Sequence, residues 1–340
     1  MLQALRRFVQ ERLGVASRDD LVASRKTIER SEGRLTKAVE KNILRLAKRL
    51  DRMDKQIDTL TQYVARLDAV AQTGRLRKIE YNVDALVRNT FLNGQLPEPQ
   101  ATLARRFRGL SEHEEDGITV ALFQRVGAAT HRFVEIGAGV NGGNSGFLAK
   151  ELGWTGLMVD IDAGRVAALQ RRFAPAVAVA QAQVTRENIN DLVSSHGFAG
   201  DIDLLSIDID GIDYWVWEQL TSCRPRLVIV EYNPFLGADR SVTIPYDPEF
   251  NRHRFDVPRF AYYGASLRAL VKLGVRKGYR LVLVEPRGVN AFFVREDIAA
   301  DVPALDVGAV PIAPEAIADF GPGGIYPFLD RTGLALIEIH

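Results

Sequence analysis

The 340-residue chain has a single cysteine, Cys223, and no run of eighteen apolar residues. One thiol excludes a disulfide scaffold and any zinc or iron–sulfur centre built from several thiolates. Without a long apolar run, no stretch of the sequence reads as a bilayer-spanning helix. The opening segment MLQALRRFV lacks the uninterrupted apolar core and small-residue cleavage site of a secretory signal. A cytoplasmic protein is the expectation. A surplus of one charge is also missing: 44 basic and 43 acidic residues leave a formal charge of +1. With 46% hydrophobic and 26% charged residues, the chain is not a wholly disordered or fibrous one.

The balanced total hides an asymmetry. Residues 1–110 carry 23 Lys/Arg and 13 Asp/Glu, whereas residues 111–340 carry 21 and 30. The basic half contains a heptad. Ile43, Leu50, Ile57, Val64 and Ala71 recur at one position, and Leu46, Met53, Leu60 and Leu67 at the other. β-Branched residues at most first positions with Leu at most second ones favour a parallel two-stranded coiled coil, so a homodimer is expected. The seam reaches back toward Leu35 and Val39, Gly74 interrupts it, and Leu96-Pro97-Glu98-Pro99 ends the helical region. Basic residues in this segment are threaded with Asp51, Asp54 and Asp58 and carry no recognition-module signature, which argues against nucleic acid as a partner. Leu2, Leu5, Phe8, Val9 and Leu13 share a helical face flanked by arginines, a pattern able to lie on an anionic inner-membrane surface as a weak peripheral contact.

From about residue 111 the pattern changes to short apolar runs separated by helical segments. Strands are expected at 132–136, 156–160, 177–181, 204–209, 227–232, 279–285 and 291–295. Most are continuous Val/Ile/Leu runs, as in strands buried on both faces, and predict an α/β sheet with helices on each side. The first strand runs into a loop rich in glycine, EIGAGVNGGNSG at 135–146. Glycines there allow a sharp turn and close approach to a ligand. About twenty residues later the next strand ends in Asp160, placed to accept hydrogen bonds from a ribose diol. The strand after 200 delivers Asp208 and Asp210, and the following one ends in Glu231 and Asn233. Neighbouring carboxylates repel, so a proton, a cation or a basic ligand has to neutralise them. Oxygen donors at the carboxyl ends of strands suit Mg²⁺ or Mn²⁺, or else they hydrogen-bond substrate hydroxyls directly. The 234–262 segment, with Tyr246, Phe250, His253 and Phe255, is long enough to form a substrate lid. Residues 301–340, rich in proline, are expected to pack on the domain and add a final strand near 334–339 or an oligomer contact.

Residues 111–298 resemble the class I S-adenosylmethionine-dependent methyltransferases. More narrowly, they resemble the FkbM-like proteins associated with surface polysaccharides and sugar-containing natural products. The likeness is carried by SEHEEDG at 111–117, FVEIGAG at 133–139, GWTGLMVD at 153–160 and VTRENIN at 184–190. It continues in LSIDIDGIDYWVW at 205–217, VEYNP at 230–234 and YYGASL at 262–267. The helical half lies outside it. The resemblance implies a Rossmann-like methyltransferase domain over 111–300, a helical region with coiled coil over 1–100, and an extension over 301–340. It assigns Glu135, Gly137, Ala138, Gly139, Asn144, Ser145, Asp160, Ile161, Gln183 and Asp208 to S-adenosylmethionine, with Asp162 as the alternative ribose acid. It places a divalent ion on Asp208, Glu231 and Asn233, although Tyr232 separates two residues that are adjacent in catechol-type sites. The reaction so implied is methyl transfer to a sugar hydroxyl of a glycan or glycoconjugate. Asp208 and Asp210 are then the catalytic acids, and His253 is a second candidate base, its flanking arginines suiting an anionic substrate group. Two rival readings remain: a non-catalytic scaffold on the same fold, and an NAD-dependent sugar-modifying enzyme.

Overall fold

A computed structural model describes residues 96–310, 318–320 and 323–340, most of 22–59, and residues 82, 83 and 86. The chain divides into two compact units, Met1–Leu76 and Arg77–His340. In the first unit every described residue is helical. The described heptad residues Ile43, Leu46, Leu50, Met53 and Ile57 are about half exposed or more. Leu60, Val64, Leu67, Ala71 and Gly74 lie outside the described residues, as does the whole segment read as a membrane contact. No helix among the described residues is long and apolar enough to cross a membrane.

The second unit begins with α1 (Gln100–Ala104) and α2 (Glu115–Val126). Its sheet strands are β1 (Arg132–Ile136), β2 (Thr155–Asp160), β3 (Val177–Gln181), β4 (Gly200–Ile207) and β5 (Cys223–Glu231). A short β6 (Val242–Thr243) precedes β7 (Tyr279–Val284) and β8 (Asn290–Arg295). The large sheet has the order β3-β2-β1-β4-β5-β8-β7. β1 to β5 are parallel, and β8 runs antiparallel to both β5 and β7. Between the strands come α3 (Gly146–Leu152), α4 (Ala163–Phe173), α5 (Ile189–Ser195), α6 (Asp213–Gln219) and α7 (Leu267–Lys277).

Apolar runs become strands here because both sheet faces are covered. Along β8, Phe292 packs in one core and Phe293 in the other, as alternating strand side chains must. β5 divides in the same way, with Leu227 and Ile229 on one side and Val228 and Val230 on the other. Trp217 of α6 meets Phe293 with ring centroids 4.9 Å apart. Helix ends follow their sequence signals. Asp162 accepts from Arg165 N to start α4, and Ser266 accepts from Ala269 N to start α7, which ends at left-handed Gly278.

Three expected strand ends shift. β4 stops at Ile207, β5 at Glu231 and β7 at Val284, short of 209, 232 and 285. Asp213 ends β4 early: its carboxylate accepts from Ile209 N at 2.8 Å and Gly211 N at 3.0 Å, turning the chain into α6. The expected terminal strand is present as β9 (Ile337–Glu338), after α8 (Tyr326–Thr332); it pairs with β6 rather than with the large sheet.

Candidate active site

Turns leaving the carboxyl ends of β1, β2 and β4 converge on a cavity of about 600 Å³. The loop after β1 is held from below. Gly137 N and Ala138 N both donate to Val159 O, and Gly139 N donates to the Asp160 carboxylate at 2.9 Å. Gly137 has φ +88°, and a Cβ there would stand 1.7 Å from the carbonyl oxygen of Asp208. Only glycine lets the β1 and β4 turns come this close. Gly139, at φ +58°, has open space where its Cβ would be and lines the cavity.

Glu135 is fully buried at the root of this loop. Its Oε1 accepts from Asn144 N at 3.1 Å, while Oε2 has no hydrogen-bond partner. Burial pushes its carboxyl up to about 7; the nearby Ser145 and Ser206 hydroxyls and the Asn144 amide offset part of that rise. Asp160 bridges two turns, with Oδ2 on Gly139 N and Oδ1 on Asp162 N. Each oxygen retains a lone pair for a ligand hydroxyl. Asp162 is spent as the α4 cap. Ile161, Gln183 and Asp208 also line the cavity, as do Ala138 and Asn144. Ser145 does not; its hydroxyl turns back to Gly142 O. Gln183 Nε2 donates to Pro248 O at 2.6 Å and so ties the β3 turn to the 234–262 loop.

Asp208, Asp210 and Glu231 each bring a carboxylate oxygen within 4.8 Å of the others. This grouping does not come from one extended strand face, because β4 has ended and Asp210 has φ +55°. Glu231 stabilises that turn by accepting from Asp210 N at 3.1 Å. Burial raises Asp208 well above the usual carboxylate range, and Asp213, Asp210, Glu135 and Glu112 raise it further. Burial likewise raises Glu231, reinforced by Asp208, Asp213 and Asp210 and opposed by Arg252. The basic neighbour is Arg252, whose guanidinium lies 2.6 Å from Asp210 Oδ1 and 5.2 Å from the Tyr263 ring centre.

Two expected site residues stand elsewhere. Asn233 is fully buried, with its amide nitrogen on Ala261 O and Tyr263 O and its oxygen on Phe235 N. That amide anchors the 234–262 loop and does not join the carboxylates. His253 is exposed and packs edge-on against Phe260, ring centres 4.4 Å apart, away from the cavity lining. Its neighbour Arg252 is the residue that reaches the acids, because the Arg252–Arg254 turn aims only one side chain inward. Phe250 and Pro248 from the same loop line the cavity, whereas Tyr246 bonds outward to Glu187. Sequence reasoning overlooked Asp213; its signal was an acid two residues after Gly211 at a helix start.

No protein-family model and no curated protein matches this chain. Solved structures do. The methyltransferase domain of bacterial CtHen1 is 19% identical over 53% of this chain and 97% of its own, with TM-score 0.35. The N-terminal domain of EvdMO1, solved with S-adenosylhomocysteine, is 13% identical over 54% and 80%, TM-score 0.35. A methyltransferase from Thiobacillus denitrificans, also solved with S-adenosylhomocysteine, is 14% identical over 55% and 73%, TM-score 0.32. The fold itself, five parallel strands ordered 3-2-1-4-5 and extended by an antiparallel hairpin, is a Rossmann-like α/β sheet.

Proposed function

We propose that this chain transfers a methyl group from S-adenosylmethionine to a hydroxyl oxygen of a sugar-containing acceptor. One observation carries the reading: the glycine loop, Asp160 and the acids Asp208 and Asp210 line the same cavity. The residues fit the cofactor. Gly139 leaves open space at the wall, Asp160 keeps acceptor capacity toward a diol, and Gln183 borders the β3 side. S-adenosylmethionine supplies an electrophilic methyl carbon. The chain's own task is to align an acceptor oxygen and remove its proton. Asp210 is the exposed acid at the mouth and the base for that proton. Asp208, deeper in the cluster, orients the hydroxyl. Phe250 offers an apolar face for one side of a sugar ring.

A hard divalent cation also fits the crowd of carboxylates. Asp208, Glu231 and Asp210 would hold it, Asn233 would not, and Arg252 would have to yield its place on Asp210. Such an ion would acidify and direct the acceptor hydroxyl. The exposed heptad residues Ile43, Leu46, Leu50 and Met53 support pairing with a second copy of the chain through a parallel coiled coil.

Calorimetric titration with S-adenosylmethionine, followed by labelled methyl transfer into a panel of free and nucleotide-linked sugars, tests the proposal. Expected are stoichiometric binding, its loss in Asp160→Ala, and transfer that fails in Asp210→Asn while binding persists. No binding at millimolar cofactor favours the scaffold reading. Binding of NAD in its place favours an oxidoreductase.

A further inference from the structure

A second group of ligand-type side chains lies beside the cavity, outside the machinery above. It joins the segment before α2 to the β7–β8 turn. His113, Glu115 and Glu285 each bring a nitrogen or carboxylate oxygen within 4.8 Å of the others. A tetrahedral metal with bonds of about 2.1 Å holds its ligands about 3.4 Å from one another. His113 Nδ1 and Glu115 Oε1 already stand 3.6 Å apart, and the group as a whole has about an ångström to close.

Two polar atoms of these three side chains, His113 Nδ1 and Glu285 Oε1, are buried and make no hydrogen bond, and Glu285 is 1% exposed. Nδ1 stands 3.6 Å from Glu115 Oε1, beyond hydrogen-bond reach. The other oxygens are clamped from outside. Glu115 Oε2 accepts from His113 N at 2.9 Å, Glu115 Oε1 from Asn290 Nδ2 at 3.1 Å, and Glu285 Oε2 from Arg287 N at 2.9 Å. Orienting hydrogen bonds behind ligand side chains, with the inward atoms unpaired, characterise metal sites.

We propose that His113, Glu115 and Glu285 bind a divalent transition-metal ion. The imidazole distinguishes this group from the all-carboxylate cluster at Asp208 and selects Zn²⁺, Co²⁺ or Mn²⁺ over Mg²⁺ or Ca²⁺. The ion ties the segment before α2 to the sheet edge. It thereby holds Glu112, which lines the cavity, beside Asn290, which lines it too. The site goes beyond the methyl-transfer reading, and its test involves no turnover.

Full-length protein, stripped with chelator and exchanged into metal-free buffer, is titrated with Co²⁺ and followed by its visible absorption, then with Zn²⁺ by calorimetry. Expected is one equivalent in Glu231→Gln, whose acidic cluster is disabled, weakened by more than about tenfold when either Glu285→Gln or His113→Gln is added to it. Zn²⁺ should raise the melting temperature of the unsubstituted protein and of Glu231→Gln, but not of the Glu231→Gln/Glu285→Gln double variant. Absence of stoichiometric binding to the unsubstituted protein overturns the proposal and leaves His113 as a counter-ion to the two glutamates. Binding abolished by Glu231→Gln but kept in Glu285→Gln also overturns it, by moving the ion to the acidic cluster.

Discussion

Replacing Glu135 with glutamine probes the buried acid under the glycine loop. A carboxyl with a pKa of about 7 in the folded protein and 4.5 in an open chain binds its proton more tightly when folded. Between those two values the folded protein holds more protons than the unfolded one, so stability falls as pH rises. Below 4.5 both states are protonated, and above 7 neither is, so the slope is confined to that window. Its span corresponds to a ceiling of about 3 kcal/mol, at about 1.4 kcal/mol per pH unit. In Glu135→Gln the side-chain amide would keep an oxygen for Asn144 N without carrying the charge, so its contribution does not vary with pH. The variant should match the parent near pH 4 and exceed it by up to about 3 kcal/mol near pH 8. Urea unfolding followed by tryptophan fluorescence measures this, since Trp154 and Trp217 are buried in the sheet domain. Asp213, pushed up to about 6 by burial, and Glu285, pushed up to about 7, slope the same way but are common to both proteins and cancel. A stability difference that stays constant from pH 5 to pH 8 would refute the reasoning.

Gly137→Ala should cost at least about 2 kcal/mol in urea unfolding, because its Cβ meets a backbone oxygen. Gly139→Ala should cost only about 1–2 kcal/mol for its left-handed φ, yet weaken S-adenosylhomocysteine binding at least tenfold by calorimetry; the reverse ranking would misplace the cofactor loop. Arg252→Ala removes the competing cation from Asp210, so Mn²⁺ should bind the acidic cluster more tightly, and unchanged affinity in a Glu285→Gln background would contradict that competition. Trp217→Ala, at a site 1% exposed against Phe293, should lose about 3–5 kcal/mol of stability. Leu50→Glu should convert a dimer to a monomer in sedimentation velocity, with cofactor binding intact; a parent protein that sediments as a monomer would remove the coiled coil.

Several features were legible in the sequence because they arise from neighbours along the chain. A continuous apolar run such as 227–230, rich in β-branched residues, points to a strand buried on both sides, and its side chains duly enter opposite cores. Glycines 137 and 139 mark a turn of forced positive φ, and Ser266 and Gly278 mark helix ends, each through local backbone geometry. Tertiary packing decided what the polar side chains do. Asn233 sits where a ligand was expected, yet carbonyls 28 and 30 residues onward take its amide, and their burial makes those bonds obligatory. Arg252 rather than His253 reaches Asp210, because a single turn sets which side chain faces inward. Asn290 meets Glu115 across 175 residues, since β8 and α2 happen to begin at the same place in the fold. Periodicity records which face of an element is dry. It holds no record of which distant groups share that dry space, and the chemistry of this protein depends on those meetings.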